Sequence, residues 1–168
     1  SVKATFFVLG WIAERFPGLV AEIAQAGHEI ASHGCMHHQV HRLGPDAFRE
    51  SLRKSKAVLE ASCDQKVLGY RAPSFSLTKR TPWAWDVVQE EDFLYDSSVY
   101  PVRHDRYGIP DAPRVPHWRN GTADHPPILE IPMATFRFMG QNVPIGGGGY
   151  LRILPLALTR WGLDQVNQ

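Results

Sequence analysis

Residues Gly27–His41, GHEIASHGCMHHQVH, place a helix end, a strand and a ligand-bearing loop in immediate succession. Gly27 has the position of a helix C-cap, where a residue without a Cβ turns the chain at low steric cost. Glu29 to Ser32 follows as a short strand, and five of the eight histidines fall in this stretch. His33 and His37 stand four residues apart. On a helical turn, positions i and i+4 share a face, so both imidazoles can converge on one ion.

The flanking sequence extends this unit in both directions. Upstream, Ala4 to Leu9, ATFFVL, is a nearly continuous apolar run of the kind that forms a strand buried on both faces. Gly10 ends it. Trp11 to Ala26 reads as helical, with Pro17 starting a fresh turn and Leu19, Val20, Ile23 and Ala24 along one apolar face. Downstream, Pro45 and Asp46 open a helix running to about Ala61, with Phe48, Leu52, Ser55 and Leu59 on one side. Val67 to Tyr70 is a third strand ending at Arg71. Thr81-Pro82 supplies an N-cap followed by proline at the first helical position, and that helix carries Trp85 and Val88 to about Glu91. Phe93 to Tyr95 gives a fourth strand, ending at Asp96.

Strands that alternate with helices predict βαβ units, hence an α/β fold with a mainly parallel sheet or barrel. Such folds bind ligands outside the carboxyl ends of their strands. His33, Arg71 and Asp96 each follow or end a predicted strand, which puts them on one rim. The character changes after Pro101. Residues 101–127 hold six prolines and three histidines without periodicity, and a loop of that length is usually functional or mobile. Ile128 to Ile131 resumes as a strand bounded by Pro132, and Phe136 to Val143 is strand-like. Gly146 to Gly149 is a glycine run, read as a tight backbone crossing or a mobile loop, and Leu156 to Val166 is a terminal helix. No repeat or linker divides residues 1–168, which read as a single domain.

Composition narrows the function. With 168 residues, 43% of them apolar, the chain can bury a proper core. A formal charge of +1 with both signs interspersed argues against a nucleic-acid surface, and no apolar segment approaches the roughly 20 residues of a membrane span. Arg49, Arg53, Lys54 and Lys56 fall at helical spacing and read as a solvated helix face. Cys35 and Cys63 read as free thiols in a reducing compartment, with Cys35 the less favoured choice of a soft metal ligand. The chain opens on SVKATFFVLG without an initiator methionine, as if in the middle of a domain.

Several of these stretches carry a resemblance. KATFFVLG, GHEIASHGCMHH, GYRAPSFS and YDSSVYP, in that order, resemble the NodB-homology polysaccharide deacetylases, carbohydrate esterase family four. YRAPSFS, RHDRYGIPDAP and PIGGGGYLR are closer still to deacetylases encoded with bacterial exopolysaccharide and protein-sorting loci. The resemblance implies a NodB-type distorted (β/α) barrel, incomplete at both ends in this chain. It implies that His33 and His37 bind a divalent metal, most simply zinc. It also implies that Arg71 orients a catalytic carboxylate and that the Ser74 N–H helps hold a developing oxyanion. Asp96 matches the fourth motif more loosely, because the usual tryptophan partner is absent. The family's aspartate pair and its acid histidine are expected outside these residues, so the chain reads as an internal fragment that is inactive on its own.

The implied activity of the full-length protein is metal-dependent removal of N-acetyl groups from a bacterial polysaccharide or its precursor, with carbohydrate as the partner. An allantoinase-like hydrolase of a cyclic amide and a non-catalytic carbohydrate-binding relative are the alternatives. Plainer readings cover other residues. His38 and His41 are loop polar groups, with His38 a substitute ligand, and His28 sits in a turn. Trp85 and Trp161 belong to the core, while Trp118 is the candidate sugar contact. Asn120-Gly121-Thr122 matches a glycosylation acceptor by chance.

Overall fold

Parallel pairing between strands separated by helices needs a crossover each time, and the first four strands of this chain make one at every step. The computed structural model describes residues 2–121 and 124–166. In it β1 (Thr5–Val8), β2 (Glu29–Ser32), β3 (Gly69–Tyr70) and β4 (Tyr95–Asp96) lie side by side and parallel. Beyond β4 the chain adds β5 (His117–Arg119) and β6 (Ile128–Glu130). β6 pairs parallel to β4, and β5 runs antiparallel to β6 at the far edge, giving the order β1-β2-β3-β4-β6-β5. The α/β class with a mostly parallel sheet is the one expected.

The helices follow their apolar spacing. α1 (Gly10–Arg15) and α2 (Pro17–Gln25) divide the helical stretch expected over 11–26 at Pro17, the residue expected to start a fresh turn. Phe16 leaves the helical region (φ −134°, ψ 57°), because the ring of Pro17 disfavours the α conformation in the residue before it. α3 (Pro45–Cys63) buries Phe48, Leu52, Ser55 and Leu59 as its spacing requires, against α1, α2, β2 and α4 (Trp83–Glu90). Each large apolar side chain buried this way is worth about 1.5–3 kcal/mol.

The basic side of α3 is paired rather than merely solvated. Arg49 bonds Glu90 and Glu91, Arg53 bonds Glu91, and Lys56 Nζ caps the end of α4 at the Glu91 and Asp92 carbonyls. Cations at a helix C-terminus complement its dipole.

Several expectations are corrected by packing. β1 is an edge strand, and Phe6 is 39% exposed rather than buried on both faces. Thr81 does not cap α4 with its side chain; its Oγ1 accepts from the Thr78 N–H and donates to the Thr78 carbonyl. The strand-like stretch 136–143 is a hairpin of β7 (Thr135–Phe138) and β8 (Gln141–Pro144), turned at Met139 and Gly140, both with positive φ. The long loop contains β5, which three residues without alternation could not announce. The glycine run is part of a helix start, since α5 (Gly148–Ile153) begins inside it. α6 (Leu156–Val166) ends the described chain. Trp85 is buried as expected, but Trp161 is 45% exposed and only leans edge-on against Phe136. Thr122, the last residue of the glycosylation pattern, lies outside the described residues. No helix among the described residues is long and apolar enough to cross a membrane.

Candidate active site

The site is assembled where β2, β3 and β4 end. His33 follows β2, and its backbone N–H continues the ladder to the Val8 carbonyl. The next residues do not form the helical turn that the four-residue spacing suggested. Gly34 (φ 78°) and His37 (φ 56°) both adopt left-handed conformations, and the Gly34 and Cys35 carbonyls accept from the N–H groups of Gly10 and Trp11 at the start of α1. Those first helical donors have no partner within their own helix, so the loop is shaped by satisfying them. The tight bend, rather than a helix face, brings the His33 and His37 rings to 5.2 Å between centroids.

The His33 ring is oriented by the next strand. Its Nδ1 lies 2.7 Å from the Arg71 carbonyl, which can only accept, so Nδ1 carries the proton and Nε2 keeps its lone pair. Burial lowers the pKa of His33, outweighing the backbone hydrogen bond that raises it, and favours the neutral ring that a metal ligand requires. His37 is exposed beside it. Two imidazoles fit two of the three protein ligands that catalytic zinc sites use, and among the described residues no third histidine, cysteine or carboxylate joins them. Cys35 is buried and its pKa is raised by that burial, which keeps the thiol protonated.

Arg71 closes the other side of His33. Its Nε donates to the Ser97 carbonyl at 2.9 Å and its Nη2 to Ser97 Oγ at 2.6 Å, and its guanidinium carbon lies 4.0 Å from the centre of the Phe7 ring. Nη1 has no hydrogen-bond partner among the described residues. Ser74 is exposed with φ 54°, in a turn whose own hydrogen bonds run from Phe75 to Ala72 and from Ser76 to Pro73. The turn therefore does not use the Ser74 N–H. Ser74 borders a cavity of about 400 Å³ together with Gln39, His104 and Tyr107. The His104 and Tyr107 rings there stack at 3.8 Å, and Tyr107 lies parallel to Tyr100 behind it. Trp118 lines a different cavity, with Trp85 and Pro82.

Asp96 is not brought to the rim beside the histidines. It is fully buried within the sheet, where Ser98 Oγ donates to its Oδ1. That same Ser98 Oγ accepts from the Ala72 N–H at 2.7 Å, so Asp96 supports the Arg71–Ser74 loop from below. Glu130 lies opposite Asp96 in the ladder, and its Oε1 accepts from the Val99 N–H. Glu130, Ser97 and Ser98 do not stand out as site residues in the sequence. Two signals were available: an acid inside the apolar run Ile128–Ile131, and paired serines directly after a strand-ending aspartate.

The polysaccharide deacetylase family model matches residues 1–90, and a model described as a domain of unknown function, DUF3473, matches residues 97–168. A peptidoglycan-N-acetylglucosamine deacetylase of Bacillus cereus is 39% identical over 75 residues, 45% of this chain and 25% of that protein. A crystal structure from Mycobacterium smegmatis, assigned to the polysaccharide deacetylases, superimposes with a TM-score of 0.63 at 27% identity over 94% of this chain and 55% of that one. A Puue allantoinase superimposes with a TM-score of 0.64 over 97% of this chain and 51% of that one, and its 22% identity bears on the fold alone. The chain thus spans 25% of the curated relative and 55% of the Mycobacterium structure. The deacetylase match takes in both rim histidines and the Arg71 loop and covers more than half of the residues, and the chain belongs to the NodB-type polysaccharide deacetylase family.

Proposed function

We propose that the protein hydrolyses the N-acetyl groups of a bacterial carbohydrate polymer or its precursor in a metal-dependent reaction. The observation that carries this reading is the His33–Arg71 contact, which fixes the tautomer of a neutral imidazole 5.2 Å from a second one. A metal ligand needs such a partner on its other ring nitrogen. A divalent cation, zinc in this reading, would be held by His33 and His37 and would supply Lewis-acid polarisation of the acyl oxygen.

The chain's own residues do the positioning. In this reading Arg71, anchored on Ser97, has Nη1 left to hold a carboxylate, and the Ser74 N–H faces the developing oxyanion, a donor worth about 3 kcal/mol. Asp96 acts through Ser98 as a positioning residue. Water adds to the acetamide carbon, the carbon–nitrogen bond breaks, and acetate and an amine leave. Among the described residues no carboxylate joins His33 and His37 to act as the general base. Reading the two matched stretches as one domain is supported by β4, which lies between them and pairs with β3 of the first and β6 of the second.

The relatives' names support a glycan substrate: the Bacillus cereus protein is a peptidoglycan-N-acetylglucosamine deacetylase and a Sinorhizobium fredii relative is a chitooligosaccharide deacetylase. Acetate release from N-acetylglucosamine oligomers by the full-length protein tests the proposal. We expect release that needs added zinc and stops with a chelator. Turnover of allantoin without acetate release would overturn it.

A further inference from the structure

A second concave surface lies between the 101–114 loop and the β7–β8 hairpin. It encloses about 560 Å³ and is lined by three arginines, Arg103, Arg114 and Arg137. Asp111 also lines it, but Lys79 already neutralises that carboxylate at 2.5 Å. None of the three arginines pairs with a carboxylate among the described residues. Arg114 is held by its Nη1 bond to the Thr135 carbonyl, and Arg103 and Arg137 are exposed with open guanidinium forks.

The groove is a fixed structure. Asn142 Nδ2 donates to the Pro101 carbonyl at 2.7 Å and to the Pro110 carbonyl at 3.3 Å, strapping both ends of the loop to the hairpin. Arg103 and Arg114 from the loop and Arg137 from β7 line the same concave surface without a carboxylate partner among the described residues, and an oxyanion entering it meets cationic donors from both sides. The planar fork of arginine matches carboxylate and phosphate oxygens bidentately. The 400 Å³ cavity beside Ser74 shares none of these lining residues, so this groove is separate from the proposed reaction centre.

We propose that this groove binds an oxyanion, phosphate or carboxylate, carried on an acidic glycan. The oxyanion site stands on the groove alone; its assignment to a glycan rests on the deacetylase reading. Calorimetry with inorganic pyrophosphate, a glucuronate oligomer and neutral chitotetraose separates the sources. Pyrophosphate binding indicates a phosphate-bearing glycan, and glucuronate binding an acidic sugar. We expect one of the two anions to bind, and the double variant Arg103→Gln/Arg137→Gln to weaken that binding at least tenfold. Both side chains are exposed, so the variant should melt as the wild type does. Arg103→Lys/Arg137→Lys keeps the charge and should recover only part of the affinity. If neither anion binds, or if the glutamine variant binds as the wild type does, the proposal is overturned. Acetate release plays no part in this outcome, so its failure is distinguishable from failure of the deacetylase reading.

Discussion

Asp96 and Glu130 are direct partners in the parallel β4–β6 ladder, and neither side chain reaches solvent. Each keeps one oxygen, Asp96 Oδ2 and Glu130 Oε2, without another hydrogen-bond partner among the described residues. Two ionised carboxylates cannot satisfy each other, but a carboxylic acid and a carboxylate can, with one proton between them. Burial raises both pKa values, and the neighbouring Asp96 charge raises that of Glu130 further. The pair in turn holds the segment that anchors Arg71: Asp96 bonds Ser98, Glu130 bonds the Val99 N–H, and Ser97 bonds both Arg71 and Ile131.

The sign of the resulting pH dependence follows by linkage. Glu130 keeps its proton in the folded state and loses it in the unfolded chain once pH passes the ordinary carboxylate range. Its contribution is therefore fully present in acid and is lost as pH rises toward its raised folded value. Glu130→Gln removes that titration while keeping an acceptor for the Val99 N–H. Denaturant midpoints measured from pH 4 to 9 should show wild-type stability falling relative to the variant, by up to about 1.4 kcal/mol per pH unit. Parallel curves for the two proteins would show that Glu130 is ionised in the fold.

Ser98→Ala tests the support beneath the Arg71–Ser74 loop. The hydroxyl links Asp96 Oδ1 to the Ala72 N–H, and its loss would leave that N–H unsatisfied in a buried place. A loss of about 1–3 kcal/mol is expected in chemical denaturation. Ser98→Thr, which keeps the hydroxyl, should restore most of it if its added methyl is accommodated. An alanine variant as stable as the wild type would remove Asp96 from its positioning role.

The parallel architecture was legible because each helix of the first half carries an apolar face and each strand is bracketed by glycine, proline or a polar end. α3 is the clearest case, with the predicted face Phe48, Leu52, Ser55 and Leu59 buried to the last residue. The site was half legible. His33 and Arg71 could be placed because both follow strands. The bend that joins His33 to His37 could not, because it depends on carbonyls serving α1 from a distance in sequence. Glu130 was hidden by the same non-locality: its partner is 34 residues away, and a lone acid in an apolar strand acquires meaning only when β6 is set beside β4.

Gly69 offers a test of the packing between β3 and β4. The Tyr95 ring covers it so closely that a Cβ built there would stand 2.0 Å from the ring, and Tyr95 Oη donates to Glu29 at 2.8 Å. Gly69→Ala must push the ring aside and break that bond, a cost of about 1–3 kcal/mol for overpacking. Gly69→Ala combined with Tyr95→Phe should cost less than the sum of the two changes, since the bond is then already gone. Strictly additive thermal shifts would argue that the ring has room to move.

His37 carries the most specific prediction about the metal. It holds φ 56°, a conformation costing an L-residue of this kind roughly 1–2 kcal/mol, in a bend where glycine would serve the backbone equally well. His37→Gly should therefore leave the metal-free protein as stable as the wild type, or more stable by up to about 1 kcal/mol. His33→Ala should destabilise it, because the Arg71 carbonyl loses its donor in a half-buried place. Zinc distinguishes the two roles from simple folding effects. At a hundredfold excess over its dissociation constant, zinc should stabilise the wild type by about 2.7 kcal/mol, and neither variant should respond. Thermal melts with zinc and then with chelator measure this directly. A His37→Gly protein that still gained stability from zinc would place the metal elsewhere, and the strain at His37 would then need another explanation.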